Sequence, residues 1–261
     1  HVQDDSLWTY QRIVIAGGLS YMGILFPEFP ESTKWRSSGL TTLWHELEQY
    51  IYPDGMGSEG ALTYHALAIE VGLSVVALCI VNNIEVPEHV RAQLGMMLDV
   101  LMFYTKPSCL IPNFGENNAP RFLCLSATTN PKDFRGLLGL GSLVLERELN
   151  EWAGYVNPTA RGWSIAVGEE WQIAFWFFAS DAAARFTDVI TRTMARPEGV
   201  AEDSWVDIKP GIRVRARVLA RKSLSIDDII SSRGFEAGGL YVMRNKDFYL
   251  AIDAGDSAEG H

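Results

Sequence analysis

The run Leu62–Val81 constrains this chain more than any other segment. It is apolar almost throughout, and its most apolar part, Leu67–Val81, carries a single charge, Glu70. A helix that is apolar all round belongs inside a core or a membrane. Leu67–Val81 falls short of the roughly 20 residues a bilayer crossing needs, so the segment is predicted as a buried helix and no membrane span is expected. At 261 residues, 48% of them hydrophobic, the chain can build a core of that size.

The segments around this helix read as further helices. Trp8–Leu25 is apolar and rich in small residues, and it stops at Phe26-Pro27. In Ser32–Tyr52, Leu40, Leu43, Trp44 and Leu47 form an amphipathic stripe with helical spacing. Pro53-Asp54-Gly55 marks a turn. Pro87–Tyr104, Lys132–Trp152 and Trp171–Thr193 are predicted helices, and residues 105–121, with Pro107, Pro112, Gly115, Asn117, Asn118 and Pro120, a loop. Pro87 suits a first helical position. Helix after helix, joined by Gly/Pro/Asn loops, suits an (α/α) barrel or toroid.

Near Arg196–Asp203 the pattern changes. Arg213–Val218 alternates apolar and charged residues with period two, while Gly239–Arg244 and Phe248–Ala254 flank Asn245-Lys246-Asp247 as a hairpin would. A helical domain over residues 1–200 and the opening of a β region over 201–261 are therefore expected. The chain runs from His1 to His261, and both ends read as cut.

A formal net charge of -10 makes nucleic acid and anionic lipid poor non-specific partners. It leaves room for an anionic substrate in a local basic cleft. Arg213, Arg215, Arg217, Arg221 and Lys222 are the clear basic cluster and read as a solvated strand face. Cys79, Cys109 and Cys124 show no metal or redox spacing and no disulfide framework. Gly139-Leu140-Gly141 is not a dinucleotide fingerprint, and His45-Glu46 has no second histidine at position 49 to make a zinc helix.

The segment richest in chemistry runs from Tyr52 to His65, a Gly-rich loop leading into the apolar helix, with Glu59, Tyr64 and His65 near its start. A tyrosine transfers protons only if a cation or hydrogen bonds lower its pKa. On residues alone, Tyr64 is open between packing and proton transfer, and His65 between a core histidine and a catalyst. Asp54 with Glu59 or Glu116 is the carboxylate pair available to a hydrolase.

Asp54, Gly55, Glu59, Tyr64 and His65 resemble the Asp-Gly…Glu-x-Ser-x-x-Tyr-His signature of heparinase II/III-type polysaccharide lyases, with Ala61 in place of the serine. The stretch Gly18-Leu19 to Leu25-Phe26-Pro27-Glu28, the loop Asn113 to Arg121, the strands Gly238–Arg244 and Tyr249–Gly255, and the ending Gly260-His261 resemble further parts of that family in the same order. The resemblance implies a mainly α protein: an incomplete (α/α) toroid followed by the first antiparallel strands of a β-sandwich-like domain.

It also implies β-elimination on a uronate-containing acidic polysaccharide or oligosaccharide, and a periplasmic or secreted location. By resemblance Tyr64 is the acid, with a share in the base's role. His261 is the base or carboxylate neutraliser, and His65, beside Tyr64, is counted among the catalytic residues. Glu59, Arg121, Asn117, Tyr10 and Gln11 are expected to contact substrate or shape its cleft, Arg121 by pairing with a substrate carboxylate or with Glu116. The family often carries Asn-His where an ungapped count finds Tyr10-Gln11, and a glutamine brings no charge to the uronate. That departure keeps a catalytically impaired glycan-binding relative as one alternative, beside an (α/α)-barrel hydrolase. No cofactor is expected in this stretch, and a structural zinc only in β-domain residues past 261. The sequence leaves the oligomeric state open.

Overall fold

The computed structural model describes residues 8–106, 110–115, 118, 120–123, 130–145, 156–157, 164–165, 176–178, 201–209, 212–219, 232–244 and 248–255. Helices α1 (Thr9–Leu25) and α2 (Ser32–Tyr50) form a hairpin whose backbones nearly touch. A Cβ on Gly23 would lie 2.2 Å from the Arg36 nitrogen, and one on Gly39 would lie 2.6 Å from that of Ser20. Gly23 of α1 and Gly39 of α2 are thus the condition for this close packing.

Helix α3 (Leu62–Val81) is buried without a break from Leu62 to Cys79. It has the length and hydropathy of a membrane span, but 89% of that window is buried within the fold. It is a core helix, lying against α1, α2, α4 (Glu88–Tyr104) and α5 (Arg135–Leu145). Pro87 is the N-cap of α4, so the helix begins at Glu88, one residue later than expected. The Arg91 guanidinium donates to Val144 O at 3.0 Å and so ties α4 to α5. Of the helix expected over Lys132–Trp152, Arg135–Leu145 is described. Most of the helix expected over Trp171–Thr193 lies outside the described residues.

Among the described residues the strands form three antiparallel groups: β1 (Val156–Asn157) with β2 (Ser164–Ile165), β3 (Ala201–Lys209) with β4 (Ile212–Leu219), and β5 (Arg233–Phe235), β6 (Leu240–Arg244) and β7 (Tyr249–Asp253) in that order. The β3–β4 register sets Asp203 opposite Arg217 and Asp207 opposite Arg213. Arg213 and Arg217 of the basic cluster therefore stand across from acidic residues, and Arg215 across from Trp205.

The β5–β7 sheet shares the helical core through Phe235, Leu240 and Val242. Its alternate residues Tyr241, Met243, Leu250 and Ile252 are exposed. Two side chains fasten the sheet to the C-terminal end of α4. The Arg244 guanidinium, 7% exposed, donates to Phe103 O at 3.5 Å and to Thr105 O at 3.2 Å, and the Tyr249 hydroxyl donates to Tyr104 O. A helix end leaves its last carbonyls without intrahelical donors, and here the sheet supplies them. Replacing Arg244 by Met should lower stability by about 2–3 kcal/mol, because charged hydrogen bonds to buried carbonyls are lost. Chemical denaturation measures the loss, and an unchanged midpoint would show that the cap carries no stability.

Candidate functional site

The site is built where α3 begins. Between α2 and α3 the chain doubles back on itself. Tyr52 N donates to Met56 O, Gly55 N to Tyr52 O and Ser58 N to Tyr50 O, at 2.8–2.9 Å. Gly55 has φ +89, and a Cβ there would lie 2.7 Å from Met96 O, so both the turn and the space demand glycine. The loop delivers Glu59 and then Tyr64, in the first turn of α3.

Tyr64 stacks on Tyr10 of α1, with centroids 4.0 Å apart and planes within 7°. Tyr10 N donates to Glu59 Oε1 at 3.2 Å. Tyr10, Glu59 and Tyr64 therefore form one cluster. Tyr64 is 5% and Glu59 7% exposed, and Tyr10 is half-buried and covers the Tyr64 ring. Gln11 uses its side-chain oxygen locally, accepting Trp8 N–H at 3.0 Å at the start of α1.

His65 faces the other way. It is 0% exposed, between the rings of Tyr50 and Tyr104 at 6.4 and 6.0 Å. Its Nε2 lies 3.1 Å from Met97 O. A carbonyl only accepts, so Nε2 carries the hydrogen and Nδ1 is bare. Burial lowers its pKa to about 4, against the opposing effects of the Met97 bond and Asp54. This corrects the catalytic expectation for His65: a fully buried neutral imidazole reaches no substrate and lends Tyr64 no charge.

Arg121 is also placed differently from expectation. Its Nε donates to Glu70 Oε1 at 3.3 Å, its Nη1 lies 3.5 Å from Asp133 O, and the guanidinium sits 4.7 Å from the Phe134 ring centroid. Glu70 Oε2 accepts Phe122 N–H at 2.8 Å. The partner of Arg121 is thus the one charge in the apolar run, not Glu116, which lies outside the described residues. Burial pushes the Glu70 carboxyl up, and Arg121 and the Phe122 amide pull it back. The same loop meets the site at Gly115, whose φ is +65 and where a Cβ would lie 2.9 Å from the Ala61 Cα. Asn117 and His261 lie outside the described residues.

Sequence reasoning missed the Tyr10–Tyr64 stack, which brings together residues far apart in the chain. It also missed the Glu70–Arg121 pair, although the signal was present. A lone carboxylate in an apolar helix needs a cation, and Arg121 closes the loop that follows.

Residues 6–127 match the family model described as Heparinase II/III N-terminus. A heparin-sulfate lyase of Pedobacter heparinus is 30% identical over 125 residues, covering 45% of this chain and 19% of that protein. A heparin-sulfate lyase of Bacteroides thetaiotaomicron is 28% identical over 109 residues, covering 41% and 15%. The chain thus spans about a fifth or less of the length of these curated relatives. A solved heparinase III with methylated lysines superposes with a TM-score of 0.52 at 18% identity, over 97% of this chain and 28% of its own. That likeness shows the fold, an incomplete (α/α) toroid followed by antiparallel strands.

Two predictions follow from the placements of His65 and Arg121. His65 has a folded pKa below its unfolded value, so its stabilising effect is complete above pH 6.5 and is lost as pH falls towards 4. The loss should reach about 3 kcal/mol. The His65→Gln variant should show a flatter stability profile over that window, and an equal slope in both proteins would contradict the assignment. Arg121→Met should cost about 3 kcal/mol near neutral pH, because it strands a buried carboxylate. With Glu70 raised further, that cost should shrink as the medium is acidified and Glu70 takes up a proton. A cost independent of pH would show that the ion pair is not its source.

Proposed function

We propose, from the premise that this chain belongs to the heparinase II/III family over residues 6–127, that it forms the toroid side of the active site of a lyase. Its substrate is a uronate-containing acidic polysaccharide of the heparan sulfate class, cleaved by β-elimination. The observation that carries this reading is the cluster of Tyr64, Tyr10 and Glu59 inside the matched segment.

In the reaction a base removes the C5 proton of the uronate, the electron pair forms the C4–C5 double bond, and the C4–O bond breaks. The leaving oxygen takes up a proton. Charge gathers beside the uronate carboxylate, which must be hydrogen-bonded or neutralised. Tyr64 is the proton donor to the leaving oxygen and has a share in the base's role. Tyr10 covers one face of its ring and fixes the phenol's direction, and Glu59 ties Tyr10 in place through the main chain. In this reading His261, from the β region over 201–261, is the base or carboxylate neutraliser. Arg121 acts on the fold, through Glu70, rather than on substrate.

The hydrolase alternative is disfavoured by what its carboxylates do. Asp54 accepts two backbone amides, and Glu59 accepts that of Tyr10. Neither suits an acid–base pair working across a sugar.

The test is Tyr64→Phe in the full-length protein, which keeps the ring stack and removes the hydroxyl. Turnover to unsaturated product should fall by about 100-fold or more, as loss of a general acid does, while oligosaccharide affinity stays within about threefold, since stacking is retained. Near-normal turnover would remove Tyr64 from the chemistry. Binding without turnover in the wild type would favour the glycan-binding alternative.

A further inference from the structure

Asp54 belongs to the turn beside the site, but the elimination chemistry gives it no role. Both its carboxylate oxygens are in use. Oδ1 accepts Met56 N–H at 3.1 Å, closing the local turn, and Oδ2 accepts Gly238 N–H at 3.0 Å, from the β5–β6 turn. The contact is tight as well as polar. A Cβ on Gly238 would lie 2.3 Å from Cβ and Cγ of Met56, a residue only 3% exposed. Gly239 has φ +71 and its carbonyl accepts Ala254 N–H, so the turn is itself braced by the end of β7. On the other side, Gly55 is seated against the Met96 carbonyl of α4. The short stretch 54–56 is therefore held between a helix and the sheet, a few residues before Glu59 and Tyr64.

We propose that Asp54 is a positioning residue: with the Gly238-Gly239 turn it forms a clip through which the docked β5–β7 sheet holds the Glu59–Tyr64 loop in its working geometry. The inference rests on the reading of Tyr64 as the reacting group, and it assigns the sheet a part in activity without any sheet residue touching substrate. A shorter acceptor at position 54 can close the local turn but cannot reach the sheet. A serine hydroxyl, for example, still accepts from the amide two residues on. The two oxygens can thus be tested apart.

The experiment uses full-length protein with Asp54→Ser and Asp54→Asn, the latter close in shape should the serine variant fold poorly. Two quantities are measured: steady-state formation of unsaturated product, and amide hydrogen exchange. For Asp54→Ser, kcat should fall about tenfold or more with KM within about twofold, as expected when a reacting group is misplaced but binding is kept. Exchange should quicken together in residues 54–61 and 236–240, while the α3 core over 66–79 keeps its protection. Asp54→Asn, which retains one carbonyl acceptor, should lie between wild type and serine. Wild-type kcat in Asp54→Ser would overturn the proposal. So would faster exchange confined to one of the two segments, which would make the contact local packing. If the wild type yields no unsaturated product, the lyase reading fails, and the exchange data alone decide the clip: joint loosening supports it and separate behaviour refutes it.

Discussion

Glu70 sits midway along a helix buried on every side, where an uncompensated carboxylate would cost several kcal/mol. The fold meets that cost from a single loop: Arg121 brings the charge and Phe122 brings an N–H. Because both donors come from adjacent residues, the loop's end has little freedom in where it lies. Phe122 then packs edge-on to Tyr21 at 5.5 Å and against the face of Gly17. One buried charge thus ties α1, α3 and the loop together. The start of that loop closes on Ala61 through Gly115, at the entry to the site.

Most of the polar residues that the sequence marks for chemistry have structural partners here. Asp54, Glu59, Gln11 and Arg121 each satisfy backbone or buried groups, and His65 is a neutral core residue. The same side chains that look like a catalytic constellation in the sequence thus mostly bind other parts of the fold. The glycine-rich loop holds its shape chiefly through bonds between its own backbone groups, with Asp54 taking the Met56 and Gly238 N–H groups.

The long elements were legible because their cause is local. The apolar periodicity of α1 to α4 and the alternation in β6 follow from burial on one face or all round. β3 was not foreseen, since its opening Ala-Glu-Asp and its later Asp207 are poor strand formers that interrupt the signal of Trp205, Val206 and Ile208, and it pairs with β4 along its length. β5, a three-residue strand with a central glycine, is likewise made by its neighbour. In the site, Tyr64 was marked by its motif. The stack with Tyr10, the Asp54–Gly238 contact and the partner of Arg121 join residues 50 or more positions apart, and no local pattern encodes them.

The central claim is that the chemistry at this site is elimination. It is tested most directly by cleaving a heparan sulfate oligosaccharide with the full-length protein in water enriched in oxygen-18 and weighing the products. Elimination predicts fragments whose masses sum to that of the substrate, with no heavy oxygen incorporated and a double bond on the fragment beyond the cut. One heavy oxygen gained per bond broken would mean hydrolysis and would contradict the account.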